Sequence, residues 1–137
     1  MNAIEVVQRS NKAYNAHDAD ALAALYAEDV TYSHPRAGQG TGKAIVNFAK
    51  TVWAAYPDVS IELITAGDTG GGLVATQWIF RGTQTGPYLG GTPATGRTVT
   101  LPGASFTQVE GEKIRSEQTY FDRQNLFEQL GLTPKKT

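Results

Sequence analysis

The hydrophobic period changes at Pro57-Asp58, and that change limits the folds open to this chain. Before it, apolar residues recur mainly at spacings of three and four; from Val59 to Phe121 they alternate every second residue. Ile4, Val7, Asn11 and Tyr14 mark an amphipathic first helix, and Asn15-Ala16-His17-Asp18 breaks it. Asp18 is placed to cap a second helix over Ala19 to Tyr26, because its carboxylate can accept from free N–H groups of the first turn. Val30 to His34 reads as a short strand ended by Pro35, residues 35–42 as a loop, and Lys43 to Tyr56 as a third helix. Val59 to Leu63 then alternates as a half-buried strand does. Strands follow over Leu73 to Thr83, Thr98 to Val109 and Lys113 to Phe121, and Arg123 to Leu130 closes the chain as a short helix before Gly131.

Helices segregated from hairpin-linked strands define an α+β fold. A twisted antiparallel sheet can curl around the helices packed on it, and the concavity left between them is where a small-molecule site belongs. The 137 residues suffice for one domain, expected to span 1–137. There is no Cys, so disulfides and thiolate chemistry are excluded. Net charge is −1 with no basic stripe, which argues against nucleic acid as a partner. Apolar runs fall far short of a membrane span, and Met1-Asn2-Ala3-Ile4-Glu5 lacks the basic start of a secretion signal, so a cytoplasmic protein is expected. The two histidines, His17 and His34, stand at no metal-ligand spacing, so no metal site is expected.

Trp78-Ile79-Phe80-Arg81-Gly82-Thr83-Gln84-Thr85-Gly86 is similar to a signature stretch of the SnoaL-like polyketide cyclases, within the nuclear transport factor 2-like superfamily. Pro93 to Arg97, Val99 to Gly103, Gly111 to Ile114, Tyr120-Phe121-Asp122 and Gln129 to Leu132 continue the likeness, as do Tyr14 to Asp18 and Tyr26 to Val30. The resemblance implies a cone formed by a curved antiparallel sheet on three N-terminal helices, with a short C-terminal helix. It also implies a cofactor-free enzyme that closes a ring in a polyketide-like or cyclic carbonyl compound by an aldol-type reaction. An Asp at the end of the last strand does the acid/base work in that family, and Asp122 matches it; Tyr14 matches a pocket Tyr of the first helix. Where the family has an assisting His on the preceding strand, this chain has Gln108. Homodimerisation through the outer face of the sheet is expected partly by the same likeness.

The residues carry plainer readings beside these. An Asp in an apolar pocket has its charged form disfavoured and can move protons near neutrality; Asp122 also stands directly before a helix, where it would serve as an N-cap. His34 ends its strand at a slot that holds a catalytic acid in related steroid isomerases, and it could be a base or simply a strand-end hydrogen-bonding group. The His17-Asp18 pair reads as structural. Tyr32, Asn47, Trp53, Trp78, Phe106 and Gln108 are candidate pocket walls. If Asp122 points into the cone, the two-residue period brings Gln118 and Tyr120 with it, unless a bulge intervenes. The loop Gly86 to Gly96, with Tyr88 and Leu89, is long for a hairpin link and could be a lid over the cone mouth or equally pad a dimer interface. Two other functions fit the same sequence: a non-catalytic hydrophobic small-molecule binder, and an isomerase or an epoxide hydrolase, for the latter of which Arg81 and Asp122 supply only part of the Asp–Arg–Asp arrangement that holds a water.

Overall fold

The computed structural model describes residues 1–87, 91 and 93–132. The helices are α1 (Ala3–Asn15), α2 (Ala19–Ala23), α3 (Ala44–Ala55) and α4 (Arg123–Leu130). The strands are β1 (Tyr26–His34), β2 (Gly38–Thr41), β3 (Ser60–Asp68), β4 (Leu73–Thr83), β5 (Thr98–Glu110) and β6 (Lys113–Phe121). They form one six-stranded sheet in the order β2-β1-β6-β5-β4-β3.

Local chemistry sets the helix starts. The Asn2 side chain accepts from Glu5 N–H at 2.9 Å, and that of Asp18 from Ala21 N–H at 3.0 Å, each satisfying a donor the helix leaves free. Helix α1 lies over β3, where Asn11 and Asn15 both donate to the Ile61 carbonyl and Asn15 also accepts from Ile61 N–H. These side chains occupy backbone groups of an edge strand that would otherwise stay open to pairing. One core cluster sits under α1, with Val6, Val7, Val30, Val74, Val109 and Ile114 buried together. A second, under α3 and α4, joins Val52, Trp53, Tyr56, Val99, Leu101, Leu126 and Leu130. Each fully buried Val, Leu or Ile contributes roughly 1.5–3 kcal/mol.

Three expectations need correction. Helix α2 ends at Ala23 rather than Tyr26, because Tyr26 is drawn into a ladder with Ile114 and opens β1 instead. The sheet is mixed, since β1 runs parallel to β6. The segment 35–42 holds a strand, β2, antiparallel to β1 with Tyr32 opposite Gly40. Gly40 leaves space for the Tyr32 ring, which folds across the strand: a Cβ there would lie 2.3 Å from the Tyr32 hydroxyl and push the ring aside. The proposed lid residues Tyr88 and Leu89 lie outside the described residues.

A bulge decides what faces the cone. In the β5–β6 ladder Val109 opposes Ile114 and Gln108 opposes Ser116, which leaves Arg115 as an extra residue. The extra residue reverses the parity of β6. Ile114 is buried inside, and beyond the bulge the inward set is Glu117, Thr119 and Phe121. Gln118 and Tyr120, expected inside, lie on the outer face, where Tyr120 is 54% exposed.

Candidate active site

The inward side chains form layers across the sheet. The deepest crosses Val74, Thr107, Glu117 and Tyr32, each opposite the next in the ladders. The middle layer crosses Thr76, Ser105 and Thr119. The outermost crosses Trp78, Gly103 and Phe121. Gly103 has no side chain because the Trp78 ring covers it; a Cβ would meet that ring at 2.2 Å. The layers line a cavity of about 170 Å³, closed from the other side by residues of α1 and α3, including Tyr14, Phe48 and Tyr56.

Among the residues lining this cavity, Glu117 is the one acidic side chain, and the lining includes neither Lys nor Arg. It keeps some surface because it borders the cavity, yet protein surrounds its carboxyl. Burial pushes its pKa from 4.5 up to about 7, against hydrogen bonds from the Thr107 and Tyr26 hydroxyls that favour the charged form. Burial, and next the Glu117 charge, push the Tyr26 hydroxyl well above its ordinary value, so Tyr26 stays a donor. A carboxyl poised near neutrality in an apolar chamber can take a proton from one atom and return it to another.

His34 also lines the cavity. Its Nδ1 accepts from Arg36 N–H at 3.0 Å and from Ala37 N–H at 3.2 Å, in the turn that begins β2. Its ring is wedged edge-on between Phe48, at 4.7 Å, and Phe121, at 5.2 Å. Burial, and next the Arg36 charge, lower its pKa from 6.5 to about 4. Trp78 is held in place by its Nε1–H, which donates to Ser105 Oγ at 3.0 Å.

The structure brings Tyr14, Tyr32, His34 and Trp78 together around the cavity and leaves the other candidates off it. Asp122 is exposed and caps α4, accepting from Asn125 N–H at 3.1 Å. Asn47 is exposed on α3. Trp53 is buried, but against Tyr14 and His17 rather than the cavity. Phe106 is 40% exposed and pairs with Tyr120 on the outer face. Gln108 is spent on the Gly71 carbonyl at 2.7 Å. Arg81 is outside too, paired with Glu62 at 2.9 Å, so the Arg–carboxylate arrangement expected of an epoxide hydrolase is not inside the cone. His17-Asp18 is structural: Asp18 caps α2 while His17, at φ 54°, stacks on Trp53. Glu117, Tyr26 and Thr107 are the site residues that sequence reasoning missed. The available signal was a lone carboxylate in mid-strand, two and four residues before Thr119 and Phe121.

A curved sheet closed by helices over one such chamber defines a small-molecule-handling cone of the nuclear transport factor 2-like kind. The family model of SnoaL-like polyketide cyclases matches residues 4–130, and the chain belongs to that family. It is similar to a candidate polyketide cyclase of Pseudomonas putida KT2440, with 26% identity, a TM-score of 0.80, and coverage of 94% of this chain and 98% of that one. A second, from Xanthomonas campestris pv. campestris, has 27% identity, a TM-score of 0.81, and coverage of 93% and 96%. The fold is shared with a protein of ketosteroid isomerase-like fold from Catenulispora acidiphila DSM 44928 solved with trimethylamine, at 24% identity, TM-score 0.79 and 94% coverage of both chains. No curated protein matches the chain. No helix among the described residues is long and apolar enough to cross a membrane.

Proposed function

We propose that this protein is a cofactor-free acid/base enzyme acting on a polyketide-like or cyclic carbonyl compound, with Glu117 as the proton-transfer group. The observation that carries the reading is a carboxyl of pKa about 7 enclosed in an apolar chamber. As a carboxylate, Glu117 takes the proton from carbon beside the carbonyl, and the C–H electron pair becomes the enolate. That enolate attacks a second carbonyl of the same molecule, and Glu117 returns the proton to the new alkoxide. The aromatic walls Tyr14, Tyr32 and Trp78 give a flat substrate its stacking surface.

Family membership supports the aldol-type reaction, but the position of Asp122 does not favour it as the acid/base group. The test is deuterium uptake beside the carbonyl in a panel of cyclic ketones and β-keto esters. The wild type and Asp122→Asn should both catalyse exchange, and Glu117→Gln should lose it. Loss in Asp122→Asn with retention in Glu117→Gln would return the role to Asp122. Tight binding of the same compounds without exchange would favour a non-catalytic binding protein. The outer face, with Phe106 and Tyr120 exposed on it, is proposed as the contact with a second copy of the chain.

A further inference from the structure

We infer that His34 is a locked, neutral hydrogen-bond donor whose Nε2–H receives the carbonyl oxygen of the substrate, on the strand beside Glu117. The inference rests on the acid/base reading above and names the pole of the site that binds oxygen.

Hydrogen bonding decides the tautomer. Two backbone N–H groups, of Arg36 and Ala37, aim at Nδ1, so Nδ1 must offer a lone pair and the ring proton must sit on Nε2. The Nε2–H has no partner among the described residues, and it is not among the buried atoms sealed without one. A donor at the cavity wall with no internal acceptor is completed by a ligand oxygen. The ring cannot turn away, because Phe48 and Phe121 hold its two sides and the turn holds Nδ1. Nor can it act as a base, since neither nitrogen has a lone pair open to the cavity. It stays neutral well below physiological pH, with a pKa of about 4.

The register places this donor relative to Glu117. Glu117 lies opposite Tyr32 on the parallel neighbour β1, and His34 is two residues further along that strand. One strand spacing and two residue rises put the two Cα atoms about 8 Å apart. Both residues line the chamber, and one carbonyl group and its α-carbon are placed against the two of them. As Glu117 removes the proton, negative charge gathers on that oxygen, where a fixed dipole already points. The substrate class that fits has an enolisable carbonyl as its reacting end and an apolar, ring-bearing body against Trp78 and Phe80.

The experiment uses substituted phenolates, which imitate an enolate oxygen, and needs no turnover. The short amide introduced by His34→Asn can still accept from the turn but cannot reach the Nε2 position; the longer amide introduced by His34→Gln reaches it with an N–H. The expected result is a loss of phenolate affinity of roughly tenfold or more in His34→Asn, the size of a hydrogen bond to a charged group, with partial recovery in His34→Gln. On the wild type, histidine ¹⁵N spectra should show a bare Nδ1 and a protonated Nε2 from neutral pH down to about pH 5. Unchanged phenolate affinity in His34→Asn, or a proton on Nδ1, overturns the inference. If phenolate binding depends on His34 while no ketone exchanges deuterium, the donor stands and the catalytic reading of Glu117 falls.

Discussion

Removing Glu117 or His34 should tilt the pH dependence of stability in opposite directions. The folded protein holds the Glu117 proton more tightly than the unfolded chain, with a pKa of about 7 against 4.5. Its contribution is therefore complete below pH 4.5 and is lost as pH rises through 7. His34 behaves the other way, at about 4 folded against 6.5 unfolded. Its contribution is complete above pH 6.5 and is lost as pH falls through 4. Each span is about 2.5 pH units and each unit is worth about 1.4 kcal/mol, so each group swings stability by about 3 kcal/mol. Where the windows overlap the two slopes cancel, and the wild type is level as far as this pair is concerned. Urea unfolding followed by fluorescence of Trp53 and Trp78, from about pH 4 to pH 8, reads the difference between variant and wild type. For Glu117→Gln that difference should rise by about 3 kcal/mol with increasing pH; for His34→Asn it should fall by about as much. Other titrating groups are common to all three proteins and drop out. Differences that stay flat within about 1 kcal/mol would refute the assignment of both groups as buried and opposed in charge preference.

Four further outcomes follow from the same structure. Gly103→Ala forces the Trp78 ring off the sheet, costing about 1–3 kcal/mol by overpacking and shifting tryptophan fluorescence. Gln84 is fully buried and bonds Gly86, Pro93 and Thr95, so Gln84→Leu, which strands those groups, should lower stability by about 2–3 kcal/mol in urea unfolding. Asp122→Ala removes only a cap and should cost about 1 kcal/mol by the same measurement. Tyr120→Glu places charge on the outer apolar face and should shift sedimentation toward the monomer if that face joins two copies.

The α+β architecture was legible because three-and-four spacing dominates before Pro57 and alternation dominates from Val59 to Phe121. The cap at Asp18 was legible because capping is local chemistry, and Asp122 had the same reading beside its catalytic one. Strand β2 was not, since Gly38-Gln39-Gly40-Thr41 has no alternation and owes its place to the backbone of β1. The carboxylate of the cavity was missed for a parity reason. Counting back by twos from Asp122 puts Gln118 and Tyr120 inside, but Asp122 lies beyond the strand as a cap and carries no strand parity. The bulge at Arg115 then hides the switch from the other end, because Ile114 and Glu117 both face inward at a spacing of three. Tyr26 was missed through its helical neighbours, whose local preference gave way to the ladder with Ile114.

The most direct test of the account is the titration of the Glu117 side-chain carboxyl, followed by ¹³C NMR and assigned with Glu117→Gln. The account predicts a midpoint near the value of about 7 that burial imposes, with Asp122 distinguished from it by Asp122→Asn. A midpoint at or below the ordinary 4.5 would mean a solvated carboxylate and would contradict the acid/base site proposed for this cone.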